Sequence, residues 1–399
     1  MQTDETIETP AKIAFVGGGP AALTAAIALA RRGIRTTFFE RDAHPEVAPR
    51  FNPERSYAID ITGHGLKALR HIDACPYFDQ RMLQFKGIKL GREAGEWNLP
   101  GWIGSRGDIV RTLIALVEEQ YSEWISCEFE CRVTSVDVLT GSLTYESQSK
   151  GALTEQFDFI IGSDGTGSAV RKAMLEQIPE FTAKTQSFPI YCTMLELDRK
   201  LDQWDKNYLY DLSVMPVFSF AGAITGGQGS DTARWFCAVG TDAPLEFSSA
   251  QAAQQFLGDR LPQILELTSE EQIAAFAKRA SRHIGQTLTC SQLYGGKAVL
   301  LGDAAAAFPP IGQGVNAAME SAMTLDLSIG EAGNSPTQLL EAAILYNTRW
   351  KPEVDAVSWI AIKGLIEEDD ESTTGLNALN QAKSAEISYS EVRREAERL

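Results

Sequence analysis

The 399-residue sequence is poor in histidine, with four in all, at positions 44, 64, 71 and 283. No two of them have metal-ligand spacing, which removes the usual zinc chemistries. Positive charge is also scarce: 36 Lys and Arg stand against 53 Asp and Glu, giving a net charge of −17. Such a surface repels nucleic-acid phosphates and anionic lipid, so neither is expected as a partner. Long apolar runs are missing. VSWIAI at 357–362 is far short of the roughly 18 residues a membrane span needs. The first ten residues, MQTDETIETP, are acidic and have no apolar stretch, so they read as a frayed leader and not as a secretory signal. Six cysteines, at 75, 127, 131, 192, 237 and 290, form no CxxC pair. A chain of this length needs no disulfide staples, so a reducing, cytoplasmic setting is expected. CEFEC at 127–131 reads as strand and not as a metal site.

What is present begins with KIAFV, GGGPAA and LTAAIALARRG over residues 12–33. A short apolar strand is followed by a glycine turn and then by a helix with Leu23, Ala26, Ile27 and Ala30 on one stripe. Gly33 reads as the helix stop. RTTFFE follows as a second strand ending in Glu40, with Arg41 next. Gly17 permits the tight turn, and Gly19 allows close approach of a pyrophosphate. Ala21 and Ala22 keep the helix near the strand, with Ala22 in place of the third glycine. The helix start offers free N–H groups to phosphate. Glu40 is placed to accept ribose hydroxyls, and an acid there disfavours a 2′-phosphate. The pattern predicts a dinucleotide site but does not distinguish FAD from NAD.

Two later segments repeat the theme. QFDFIIGSDGTGSAVRKAM at 156–174 is a buried strand, a turn carrying Asp164 and a helix start. Asp164 reads either as a ligand at a strand's carboxyl end or as a helix cap. KAVLLGDAAAAFPPIGQGVN at 297–316 ends a strand in Gly302 and Asp303 and then runs through Pro309 and Pro310. Asp303 suits a polyhydroxyl chain such as ribityl, which FAD has and NAD lacks. The prolines stiffen the backbone. Gly312, Gln313, Gly314, Val315 and Asn316 then start a helix whose positive end suits a ring that gains negative charge on reduction. Asn316 is expected to add a side-chain hydrogen bond to that ring.

Together GGGPAA with Glu40, GSDGTGSAVR and GDAAAAFPPIGQGVN resemble the single-component FAD-dependent aromatic monooxygenases, the group of para-hydroxybenzoate hydroxylase and kynurenine 3-monooxygenase. ERSYAIDITGHGLKAL at 54–69 resembles the RS-x-N-L-A-L-S segment of that group, with Arg55 matching an Arg near the flavin. GDIVRTLIALVEE resembles its R-x-x-L helix, with Arg111 at the position that meets the FAD pyrophosphate. On its own helix, Arg111 either snorkels or meets an anion.

The resemblance implies FAD as cofactor, NADPH or NADH as a transient reductant, and dioxygen with a small aromatic or conjugated substrate. It implies hydroxylation or epoxidation through a flavin hydroperoxide, in a monomer or dimer. Arg55, Pro309 and Pro310 are the implied catalytic residues, the prolines presenting a backbone carbonyl to the substrate. One departure is Ala305 and Ala306, where many relatives have His. The Arg and Tyr that hold a substrate carboxylate in kynurenine monooxygenases have only Lys89 and Arg92 as weak counterparts. A reductase or oxidase of the same fold and a non-catalytic FAD-binding protein remain as alternatives. The missing W-x-W-x-I-P signature argues against a halogenase.

The expected fold class is α/β. A discontinuous Rossmann-like FAD-binding domain spans 1–74, 100–185 and 285–345. A smaller, mostly antiparallel substrate domain spans 75–99 and 186–284, with a helical segment at 346–399. Phe188, Tyr191, Met215, Phe218 and Phe220 are the aromatic and apolar candidates for the pocket roof. The region 249–282 reads as helix broken at Pro262, GGQGSD at 226–231 as a hairpin loop, and 366–375 as a solvated loop. The last helix reads as surface-exposed.

Overall fold

A computed structural model describes residues 11–49, 51–52, 57–90, 96–225, 233–365, 373–384 and 387–398. Its centre is a six-stranded sheet. The strand order is Tyr294–Gly295, Ala298–Leu300, Phe159–Gly162, Ile13–Val16, Thr36–Phe39 and Ile125–Glu128. All neighbours are parallel except the first pair. Ile13–Val16 and Phe159–Gly162 are wholly buried, as expected of parallel strands covered on both faces. The chain leaves Ile13–Val16 toward Thr36–Phe39 on one side, and Phe159–Gly162 lies on the other. That reversal opens a crevice at the carboxyl ends of the strands, where doubly wound sheets bind ligands.

The helix Pro20–Arg31 follows the first strand, with proline in its first turn and eleven residues buried. Gly33 ends it at φ +75°, a left-handed position that glycine adopts without steric cost. A three-stranded antiparallel sheet, Cys131–Asp137, Ser142–Ser147 and Gly151–Gln156, is an excursion from this layer.

The second layer is an eight-stranded sheet. The order is Arg282–His283, Tyr191–Leu197, Ala233–Thr241, Phe218–Thr225, Tyr208–Asp211, Leu83–Leu90, Glu96–Gly104 and Ile59–Ile61. Every pairing is antiparallel except Tyr208–Asp211 with Leu83–Leu90. Ile59–Ile61, which the sequence reading placed in the FAD-binding part, pairs with Glu96–Gly104 in this sheet. The second sheet therefore takes strands from both sides of the 75–99 boundary.

One face of the sheet packs Tyr210, Trp235 and Val239 against Leu257, Ile264 and Phe276 of the helices Ala250–Arg260, Pro262–Leu265 and Glu270–Phe276. Pro262 starts a new helix rather than only breaking one. Alternation along each strand sends Met194, Ile224 and Phe236 to the other face, with Ala58 and Cys192.

The helix Gly314–Ala332 runs under the first sheet and packs its apolar side into the main core. Pro336–Leu365 follows, then Thr373–Ser384 and Tyr389–Ala396. The last helix is not a free surface element: Tyr389 and Val392 are fully buried. Its acidic and basic residues cover only the outward side, which a reading of charge content alone overweights. Among the described residues no helix is long and apolar enough to cross a membrane.

Candidate active site

Three strand ends meet in the crevice. At the first, Gly17 sits at φ +94°, and a Cβ there would lie 2.7 Å from the Ser163 carbonyl and 2.8 Å from the Asp164 Cα. Only glycine fits, so two loops approach as closely as a thin ligand needs. Gly19 precedes the helix Pro20–Arg31, and no side chain caps that helix start. Its first-turn donors are the ones a pyrophosphate would take. Glu40 sits at the end of the second strand, where its Oε2 accepts from the Gly18 N–H at 2.8 Å and its Oε1 from the Asp42 N–H at 3.0 Å. These bonds hold the acid at the edge of the glycine turn. Arg41 is exposed and lies 3.9 Å from Asp42.

At the second strand end, the Asp164 Oδ2 accepts from the Ala169 N–H at 2.6 Å, so the cap reading holds for one oxygen. The other oxygen, Oδ1, is sealed from solvent and meets no donor. Burial raises this carboxyl's pKa against the pull of Ser168, Ala169 and Arg171. A buried acceptor without a donor is costly in a native fold, and a ligand hydroxyl would relieve it. Arg171 donates to the carbonyls of Ala304 (2.9 Å) and Thr166, tying this loop to the third strand end.

The third end carries Gly302 at φ +53°, where a Cβ would lie 3.1 Å from the Ala318 Cβ and 3.4 Å from the Ala21 Cβ. Two helices pack against this point, which accounts for the small residue at 21. Solvent reaches Asp303, yet protein crowds it enough to raise its pKa, with Arg106 opposing. Tyr57, 46% exposed, shows the same combination and faces Asp303, Arg106 and Arg282. Tyr57 thereby links the third strand end to the second sheet, where it also faces Cys192. Pro309 is buried and Pro310 exposed. A Cβ at Gly314 would meet only open space, and no side chain caps the helix that begins there. Val315 is half-buried against the core.

Two expectations need correction. Asn316 is fully buried and its side chain is spent on the backbone. Its Nδ2 donates to the carbonyls of Asp60 (3.1 Å) and Gly312 (3.0 Å), and its Oδ1 accepts from the Thr62 N–H at 3.1 Å. It clamps the glycine segment to the strand Ile59–Ile61, and its amide group is not directed at a ring. Gln313 is likewise committed, accepting from the Tyr389 hydroxyl at 3.0 Å.

At the phosphate end a second arginine, Arg106, joins the predicted Arg111. Arg111 donates to the Pro45 carbonyl at 3.1 Å and lies 3.6 Å from Asp108. Arg106, one turn earlier, is the residue whose Nη2 would stand 3.2 Å from a Cβ at Gly19, and it also faces Asp303. It opens the helix Arg106–Leu116, which Ser105 and Asp108 cap reciprocally. Arg55 and Arg92 lie outside the described residues, as does GGQGSD. Lys89 stacks on the Tyr208 ring at 4.4 Å, on the helix-covered side of the sheet and away from the cleft. Met215 is 78% exposed and lies outside the roof, whereas Phe220 alternates onto its inner face. Where the candidates included Tyr191, the structure pairs its ring with His283.

These residues fit FAD: the glycine cradle, the uncapped helix start, the orphaned Asp164 oxygen and the walled-in Asp303 match its phosphates and hydroxyls. Fold and site together define a flavin-dependent oxidoreductase of the doubly wound type. A family model described as FAD binding domain matches residues 111–349, and one described as NAD(P)-binding Rossmann-like domain matches residues 16–71. The first covers more than half of the chain, and the chain belongs to that FAD-binding family. Kynurenine 3-monooxygenase of Candida albicans is 24% identical over 92% of this chain and 82% of its own length. That of Stenotrophomonas maltophilia is 27% identical over 90% and 79%. The crystal structure of a 2-methyl-3-hydroxypyridine-5-carboxylic acid oxygenase mutant superposes with TM-score 0.70 at 20% identity, covering 97% of this chain and 96% of the other. Tetracycline destructase Tet(51) gives 0.65 at 17%, covering 94% and 98%. The chain is an FAD-dependent monooxygenase that draws electrons from NAD(P)H.

Proposed function

We propose that this enzyme inserts one oxygen atom from dioxygen into a small aromatic or conjugated substrate held between the second sheet and the 302–316 segment. The observation that supports this is the meeting of the Gly17, Asp164 and Asp303 strand ends, with Tyr57 joining Asp303 to the second sheet, whose face opposite its helices carries Met194, Phe220, Ile224 and Phe236. Bound FAD supplies the exchange of two electrons with NAD(P)H and the activation of dioxygen. The chain's own residues do the rest. Glu40, Arg106 and the start of the helix Pro20–Arg31 hold the nucleotide end. Asp164 and Asp303 take hydroxyls. Gly312, Gly314 and Val315 present backbone to the ring, braced by Asn316 and Gln313. The apolar roof excludes water and confines the substrate near the ring. Pro309 and Pro310 keep the intervening backbone stiff. Arg55 and Arg111 keep their proposed places as neighbours of the flavin and of its phosphates, with Arg106 ahead of Arg111.

The relatives named for kynurenine put that compound in the test panel without choosing it. NADPH oxidation is followed with a panel of aromatic acids, together with oxygen uptake and product mass. A compound that stimulates both and gains one oxygen atom supports the reading. Stimulation without oxygen insertion favours an oxidase. The six free cysteines support a reducing compartment such as the cytoplasm. We take the chain to be a monomer or dimer, although one structural neighbour is tetrameric; solution mass decides.

A further inference from the structure

Behind Gly312 two opposite charges meet at one point. A Cβ at Gly312 would lie 3.5 Å from the Asp60 Oδ1 and 3.6 Å from the Lys383 Nζ. Asp60 comes from the strand Ile59–Ile61, and Lys383 from the penultimate helix, Thr373–Ser384. Asp211, at the end of Tyr208–Asp211, also faces Lys383. Burial raises the Asp60 carboxyl's pKa while Lys383 opposes it. Burial lowers the Lys383 ammonium's pKa while Asp60 and Asp211 oppose that. The same helix pair delivers Tyr389, which bonds Gln313 and stacks on His64 at 3.9 Å. The carboxyl-terminal segment therefore touches the glycine cradle at two consecutive residues, 312 and 313.

We propose that Lys383 is a positioning residue for electron uptake: it is the counter-ion that cancels the charge of Asp60 beside the cradle. This rests on the reading that the cradle holds the flavin ring. A bare carboxylate there repels the charge a ring gains on reduction. A buried charge next to its opposite is neutralised, and in a low-dielectric site that difference is felt strongly.

The test measures the flavin midpoint potential of the holoenzyme, with FAD affinity measured in parallel. Lys383→Met is expected to cut the preference for reduced over oxidised flavin about tenfold, a fall of about 30 mV for a two-electron couple. Lys383→Arg keeps the charge and stays near the wild-type potential. The double variant Lys383→Met with Asp60→Asn moves back toward wild type, because the carboxylate beside Gly312 goes with its counter-ion and only Asp211 is left uncompensated. Should Lys383→Met alone fail to fold, Asp60→Asn carries the test, since it leaves Lys383 with Asp211 alone to offset it and raises the potential. A wild-type potential in Lys383→Met, or no recovery in the double variant, overturns the inference. Wild-type protein that takes up no FAD overturns the flavin reading and this inference together; FAD uptake with an unmoved potential overturns this inference alone.

Discussion

Replacing Asn316 by Ala separates a clamp from a ligand. The amide group ties three backbone groups, the Thr62 N–H, the Asp60 carbonyl and the Gly312 carbonyl, at 3.0–3.1 Å. The Gly312 carbonyl retains a second donor, the Gln313 Nε2 at 3.2 Å. Thr62 and Asp60 lose the partner that Asn316 supplies, inside a site sealed from water. At about 1–3 kcal/mol for each buried group left unsatisfied, the loss is about 2–6 kcal/mol. For a chain of this size that corresponds to a fall in Tm of about 2–7 °C. Thermal unfolding of the apoprotein, followed by circular dichroism, measures it. A clamp is needed with or without FAD, so the fall is expected in both forms. Asn316→Asp keeps the acceptor but loses both donors, and it too is expected to destabilise. An apoprotein Tm within about 1 °C of wild type, with only FAD affinity reduced, would refute the clamp and restore Asn316 as a ring contact.

Gly17→Ala places a side chain at φ +94° and 2.7 Å from the Ser163 carbonyl, so FAD titration monitored by flavin fluorescence is expected to show at least about a tenfold weaker Kd. Asp303→Ala removes the carboxylate of the third strand end, and the purified variant is expected to lose most of its yellow colour; full flavin content would count against that role. For Asp326, burial pushes the carboxyl pKa up, but hydrogen bonds from His71 and Arg32 outweigh it and bring it below the usual 3.8. The stability it contributes is therefore present above the unfolded value near 3.8 and disappears as pH falls through the lower folded value. Asp326→Asn is expected to lower stability at pH 7 and to flatten the acid limb below pH 4, read from urea midpoints across pH.

The strand–turn–helix at residues 13–31 was legible because each step is local: a strand run, glycines where the turn requires them, and an apolar stripe. Glu40 and Asp303 were legible for the same reason, each ending a strand. The roles of Asn316 and Gln313 were not, because their partners are contributed by Asp60, Thr62 and Tyr389, remote in sequence. Arg106 and Arg111 share one helix, and apolar periodicity cannot say which of two arginines faces the glycine turn. The sheet membership of Ile59–Ile61 escaped notice since three residues carry too little pattern to choose between layers. Lys383 and Tyr389 sit in a stretch whose composition is polar, so burial there is set by what the fold brings to it.

The order of strands in the central sheet also governs how the polypeptide is made. Ile13–Val16 is synthesised first, but its neighbour Phe159–Gly162 leaves the ribosome much later, and Ala298–Leu300 later still. Each pairing closes a long loop before it yields stabilising contacts, which slows assembly. A nascent chain therefore carries exposed apolar strand edges until Ala298–Leu300 has emerged, and Tyr389 reaches Gln313 later still. Synthesis at reduced temperature or with added holdase chaperones should raise the yield of folded protein, and fragments ending before residue 298 should aggregate.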